Sequence, residues 1–143
     1  MLGQGCFFGL GFINSVRAIK PVVLIVEDEP LIRMGLADVC ADAGFEVLEA
    51  IHGLAALDQL RAREDIALVL SDIDMPVMDG VALARAVGQQ HAHVAVVLTS
   101  GKTYLLDGEV PAEIPFLPKP VNEGLLISTL WTLFERFGGG SPR

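Results

Sequence analysis

Five residues of this 143-residue chain are of types that together could manage a doubly charged anion: Glu27, Asp28, Asp72, Thr99 and Lys119. Three carboxylates gathered in one place repel, since two unit charges ~4 Å apart oppose each other by about 4 kcal/mol at an effective dielectric near 20. Such a cluster needs cations. Carboxylate oxygens are hard ligands suited to Mg²⁺, which keeps several of its waters and often binds phosphates as well. Lys119 would supply a second positive charge and Thr99 a hydroxyl donor. An Asp carboxylate is a nucleophile in aspartyl-phosphate formation. Phosphoryl transfer asks mainly for in-line positioning and charge neutralisation, which this set could provide. Each residue alone has a plainer explanation. Glu29 after an acidic pair reads as a helix cap, and Asp72 before Pro76 as a turn former. Thr99 could be a strand-end hydroxyl and Lys119 a solvated lysine. The chemistry therefore depends on the fold bringing them together.

The elements that would do so are legible in the apolar pattern. Val22-Val23-Leu24-Ile25-Val26 is a continuous β-branched run, as a strand buried on both faces requires. Pro30 then opens a helix with Ile32, Leu36, Val39 and Ala43 inward, and Gly44 stops it. A second strand spans Phe45 to Ala50. A second helix follows over Gly53 to Arg63, with Leu57 and Leu60 inward. Ala67 to Leu70 is a third buried strand, ending at Ser71-Asp72. A helix follows from about Asp79 to Gln90, and Val94 to Leu98 is a fourth strand ending at Thr99-Ser100. Ile114 to Leu117 reads as a short fifth strand whose Pro115 suits an edge. A last helix runs from about Asn122 to Phe137. The interval from Lys102 to Glu113, broken by Gly108 and Pro111, leaves room for a single turn or a loop, so a fourth helix is expected to be short or missing.

Strands alternating with helices imply an α/β fold with a parallel sheet covered on both faces. Five strands point to the flavodoxin-like doubly wound order 2-1-3-4-5, in which ligands sit beyond the carboxyl ends of the strands. Those ends are Glu27 and Asp28, Asp72, Thr99, and the region of Lys119. Strands 1, 3, 4 and 5 are neighbours in this order, so the carboxylates, the hydroxyl and the ammonium converge on one edge.

Composition agrees with one domain, read as residues 20–137, and with a solvated acidic surface. Apolar residues make up 52% and the formal net charge is -8, which argues against a nucleic-acid-binding face. Cys6 and Cys40 share no metal-ligand spacing with His52, His91 or His93 and suggest a reducing, cytoplasmic setting. Cys40 fits a small core residue. Met1 to Val16 carries no charge, but glycines interrupt it and it is too short to span a bilayer. Residues 1–19 read as a poorly structured extension and 138–143 as a flexible tail, with no membrane role.

With the strand ends assembled, the motifs Val26-Glu27-Asp28-Glu29, Ser71-Asp72-Ile73-Asp74-Met75-Pro76, Leu98-Thr99-Ser100-Gly101 and Phe116-Leu117-Pro118-Lys119-Pro120 stand in order on the right elements. The chain from about Lys20 to Phe137 resembles the receiver domain of bacterial two-component response regulators. The resemblance implies Asp72 as phosphoacceptor and Mg²⁺ held by Glu27, Asp28, Asp72 and the backbone carbonyl of Asp74. It implies Lys119 as the phosphoryl partner, a cis bond before Pro120, and Thr99 and Phe116 as switch residues. The protein would not be a turnover enzyme beyond its own phosphorylation and dephosphorylation. Its partners would be a sensor histidine kinase or a phosphotransfer protein.

Nothing in the sequence after Phe137 resembles an output domain, so action through protein contact is expected, or service as a phosphoryl sink. The last helix carries two apolar stripes, Leu126, Leu130, Leu133 and Phe137, and Ile127, Trp131 and Phe134. One stripe suffices for a core. The surplus suggests a homodimer or target face on this helix and the fifth strand, unless the N-terminal extension covers it. A competing class is the haloacid-dehalogenase-type phosphatase, with Asp72 as nucleophile and Asp74 as general acid. That motif belongs on the first strand of a longer chain, and it leaves Glu27 and Asp28 unexplained.

Overall fold

The five apolar runs become one parallel sheet, seen here in a computed structural model that describes residues 20–101 and 110–137. The strands are β1 (Val22–Val26), β2 (Glu46–Ala50), β3 (Ile66–Asp72), β4 (Ala95–Ser100) and β5 (Phe116–Pro118). The helices are α1 (Pro30–Asp42), α2 (Gly53–Ala62), α3 (Gly80–Gln90) and α4 (Glu123–Arg136). The strand order is β2-β1-β3-β4-β5, the doubly wound order expected. The N-terminal extension, the tail, and residues 102–109 of the segment where a short or missing helix is expected lie outside the described residues. Residues 110–115 form a turn, with Ile114 N–H donating to Pro111 O at 3.0 Å.

Strand alternation divides the core into two layers. Val22, Leu24, Val26, Val69, Val96 and Leu98 face α2 and α3, while Val23, Ile25, Leu68, Leu70, Ala95 and Val97 face α1 and α4. β1 is buried along its whole length because helices cover both its faces. β5 is the edge strand, which is why Pro118 can end it without removing a ladder bond from the interior.

Gly44 does stop α1, and the geometry shows how. Its φ of +102° permits Gly44 N–H to reach Ala41 O and Phe45 N–H to reach Cys40 O, the paired bonds of a Schellman cap. The inward face of α1 differs from the periodic reading. Cys40 is fully buried, whereas Ile32 is 38% exposed, lining a groove between α1 and the segment Lys119–Val121. Along α4, Leu126, Leu130 and Leu133 are buried but Phe137, at the helix end, is 46% exposed. The second stripe has its own cover within the chain. Trp131 stacks on Phe45 with ring centroids 4.6 Å apart and donates Nε1–H to Ala43 O at 3.3 Å.

Candidate functional site

The turn after β1 carries the acidic pair. Glu27 is buried and Asp28 is exposed. Glu27 N–H continues the ladder to Ala50 O at 3.1 Å, which ties the turn to the end of β2. Glu29 occupies the N-cap position of α1, but its side chain makes no capping bond. Its own N–H instead donates to Glu27 Oε2 at 3.2 Å, so the expected cap is a brace for the buried carboxylate. Two caps not foreseen from the sequence are His52, whose Nδ1 accepts from Ala55 N–H, and Asn122, whose Oδ1 accepts from Leu125 N–H. Asp79 caps α3 in the same way.

Asp72 closes β3 and stands in register with Thr99 on β4. Both are buried. The strands stay joined past this point, since Ile73 N–H donates to Thr99 O at 2.8 Å. The chain then turns sharply under α3, where Gly80 lies so close to the backbone of Asp72 and Ile73 that a Cβ would strike the Asp72 carbonyl. Lys119 follows β5 and is anchored by its N–H to Ser100 O at 2.9 Å. The Lys119–Pro120 bond is cis, as the resemblance implies.

Carboxylate oxygens of Glu27, Asp28 and Asp72 all come within 4.8 Å of one another. Lys119 Nζ bonds Glu27 Oε1 at 2.9 Å and stands 3.4 Å from Asp72 Oδ1. Asp72 Oδ1 is buried without a well-formed hydrogen bond. Burial, then the charge of Glu27, raises the Asp72 pKa above the ordinary carboxylate value, and Lys119 only partly opposes them. Burial pulls the Lys119 ammonium down, but its bond to Glu27 and the charge of Asp72 outweigh that and leave its pKa raised. Three hard carboxylate oxygens this close, with one oxygen of the buried Asp72 lacking a hydrogen bond, fit a small divalent cation, which would add positive charge to that of Lys119.

The remaining expected residues are nearby but arranged less simply. Asp74, two positions after Asp72, accepts a 2.7 Å hydrogen bond on Oδ2 from the fully buried Ser100 hydroxyl. Phe116 is half-buried on β5 opposite Leu98 and packs against the α2–α3 layer. Sequence reasoning placed Ser100 at the end of the fourth strand without a role, and missed Arg33, whose guanidinium reaches the Glu27 carbonyl. The partner of each lies on another element, which no local pattern shows.

A response regulator receiver domain is matched over residues 23–130. The chain belongs to this family. The receiver domain is 32% identical over 118 residues to the sensor kinase CckA of Brucella abortus, covering 80% of this chain and 12% of the kinase. It is 36% identical over 105 residues to the aerobic respiration control protein ArcA of Escherichia coli K12, covering 71% of this chain and 43% of that protein. It thus spans less than half the length of either relative. Among solved structures, the response regulator protein TrrA of Thermotoga maritima, in complex with Mg²⁺-BeF, superposes with a TM-score of 0.73 at 27% identity. The match covers 80% of this chain and 99% of that one. Membership sets aside the haloacid-dehalogenase reading of Asp72 and Asp74. Among the described residues, no helix is long and apolar enough to cross a membrane.

Proposed function

We propose that this receiver domain is a Mg²⁺-dependent phosphoacceptor, with Asp72 the residue that is phosphorylated. The observation that carries the reading is the buried Asp72 Oδ1. It lacks a hydrogen bond, sits beside the Lys119 ammonium, and belongs to a three-carboxylate cluster suited to a cation. Domains of this family work with histidine kinases or phosphotransfer proteins, and the proposal extends that partnership to this chain. An Asp72 oxygen attacks the phosphorus of a partner's phosphohistidine. The P–N bond breaks, the imidazole leaves, and an acyl phosphate forms on Asp72.

Glu27, Asp28, Asp72 and the Asp74 carbonyl would hold Mg²⁺, with Asp28 coordinating directly. Bound there, the ion neutralises charge on the transferring group. Lys119 pairs with the new phosphoryl group, and its raised pKa keeps it cationic at neutral pH. The Thr99 hydroxyl shifts to bond a phosphoryl oxygen and Phe116 moves inward, relaying the charge at Asp72 to β5. Leu31, Ile51, Leu54 and Val77 are exposed on loops and helix starts at this same sheet edge, and they offer a phosphodonor protein an apolar rim. Exposed Leu125 and Phe137 on α4, with β5, are the corresponding face for a target or a second copy.

The test is intact-mass spectrometry after incubation with acetyl phosphate, with and without Mg²⁺, on wild type and Asp72→Asn. One phosphoryl adduct on the wild type, only with Mg²⁺ and absent from the variant, is expected. An adduct that survives Asp72→Asn, or none in either protein, overturns the assignment.

A further inference from the structure

We propose that Arg33 is a positioning residue for the cation site, holding the turn that aims Asp28 at the metal; the inference rests on the reading above that the acidic cluster binds Mg²⁺. Arg33 lies on the first turns of α1, and its side chain is only 16% exposed. Its Nη1 donates to the Glu27 carbonyl at 2.8 Å, and its Nε donates to Glu49 Oε1 at 3.0 Å. One planar fork therefore joins the turn after β1 to β2, a double tie that a lysine ammonium on its flexible stem cannot reproduce.

The tie matters because of what surrounds it. The Glu27 side chain is braced on both oxygens, by Lys119 and by Glu29 N–H. Asp28 has no such brace. Among the described residues, its carboxylate makes no hydrogen bond or ion pair. The backbone alone aims it, and the Glu27–Asp28 peptide plane sets that aim. Arg33 on the carbonyl side and Ala50 on the N–H side of Glu27 hold the backbone there. Glu49 neutralises the guanidinium, so the tie places little net positive charge beside a cation site. Partners of this kind, outside the ligand set itself, typically change metal affinity by 10–100-fold when removed.

The experiment counts free Mn²⁺ by electron paramagnetic resonance during titration of the full chain, with Mg²⁺ added as competitor. Wild type, Arg33→Met, Arg33→Lys and Glu49→Gln are compared after circular dichroism has confirmed that each is folded. Arg33→Met should weaken both ions about tenfold. Arg33→Lys should fall between it and the wild type, and Glu49→Gln should show a smaller loss. A purely structural Arg33 would lower thermal stability and leave affinity unchanged. If wild type binds and Arg33→Met binds within about twofold of it, the positioning role is overturned while the cation site stands. If wild type itself binds neither ion, the cluster reading falls and Arg33 with it. Should Arg33→Met fail to fold, wild-type affinity in Arg33→Lys overturns the role by itself.

Discussion

Replacing the phosphoacceptor candidate should stabilise the metal-free protein. In Asp72→Asn the side chain keeps its shape and loses its charge. Its nearest carboxylate oxygens stand no more than 4.8 Å from those of Glu27. At an effective dielectric near 20 that repulsion is about 3–4 kcal/mol. Asp28 adds a smaller, screened amount, and burying the charge adds several kcal/mol more. Lys119 at 3.4 Å returns about 5 kcal/mol of attraction. The raised pKa of Asp72 says that the opposing effects win. A net gain of about 2 kcal/mol is expected for Asp72→Asn at pH 7 in EDTA, read from urea unfolding. Because the folded-state pKa is raised, the contribution of Asp72 is fully present below its unfolded value of about 3.9 and is lost as pH rises through the higher folded value. The advantage of the variant should therefore vanish in acid, grow upward from that range, and level off above the folded pKa. Mg²⁺ should erase it at neutral pH by binding wild type in preference. If Asp72→Asn is less stable than wild type in EDTA at pH 7, Lys119 dominates and the electrostatic reading of the site is wrong.

Val77 holds a left-handed φ of +73° in the loop after Asp72 while its side chain is 81% exposed. A β-branched residue is strained there, so Val77→Gly should raise the unfolding free energy read from urea by about 1 kcal/mol; a lower value would refute the strain. Gly80→Ala should cost at least about 2 kcal/mol and abolish phosphoryl uptake, because its Cβ meets the backbone of Asp72 and Ile73 rather than a movable side chain. Gly35→Ala, on α1 with nothing within 4 Å, is its control and should stabilise by about 0.5–1 kcal/mol.

Much of the fold can be read locally. A β-branched run such as Val22 to Val26 has few ways to bury itself except as a central parallel strand, and Gly44 marks a helix end through its own backbone freedom. The strand-end residues were legible for the same reason. Once the strands and their order are known, Glu27, Asp28, Asp72, Thr99 and Lys119 fall at one edge with no further information. Periodicity was less reliable at helix ends. Ile32 and Phe137 keep the right spacing, yet both are over a third exposed, and spacing does not say where the neighbouring layer stops.

Chain order and residue type thus determined by themselves the α/β class, the strand order and the identity of the acidic cluster, since burial patterns within short stretches give the elements and their strict alternation leaves few doubly wound topologies. Only the tertiary structure decided how the cluster is braced. Lys119 meets Glu27 across 92 positions, Ser100 meets Asp74 across 26, and Trp131 covers Gly44 and Phe45 from α4. Such contacts depend on ångström-scale placement of elements packed against one another, which no local pattern of polar and apolar residues encodes.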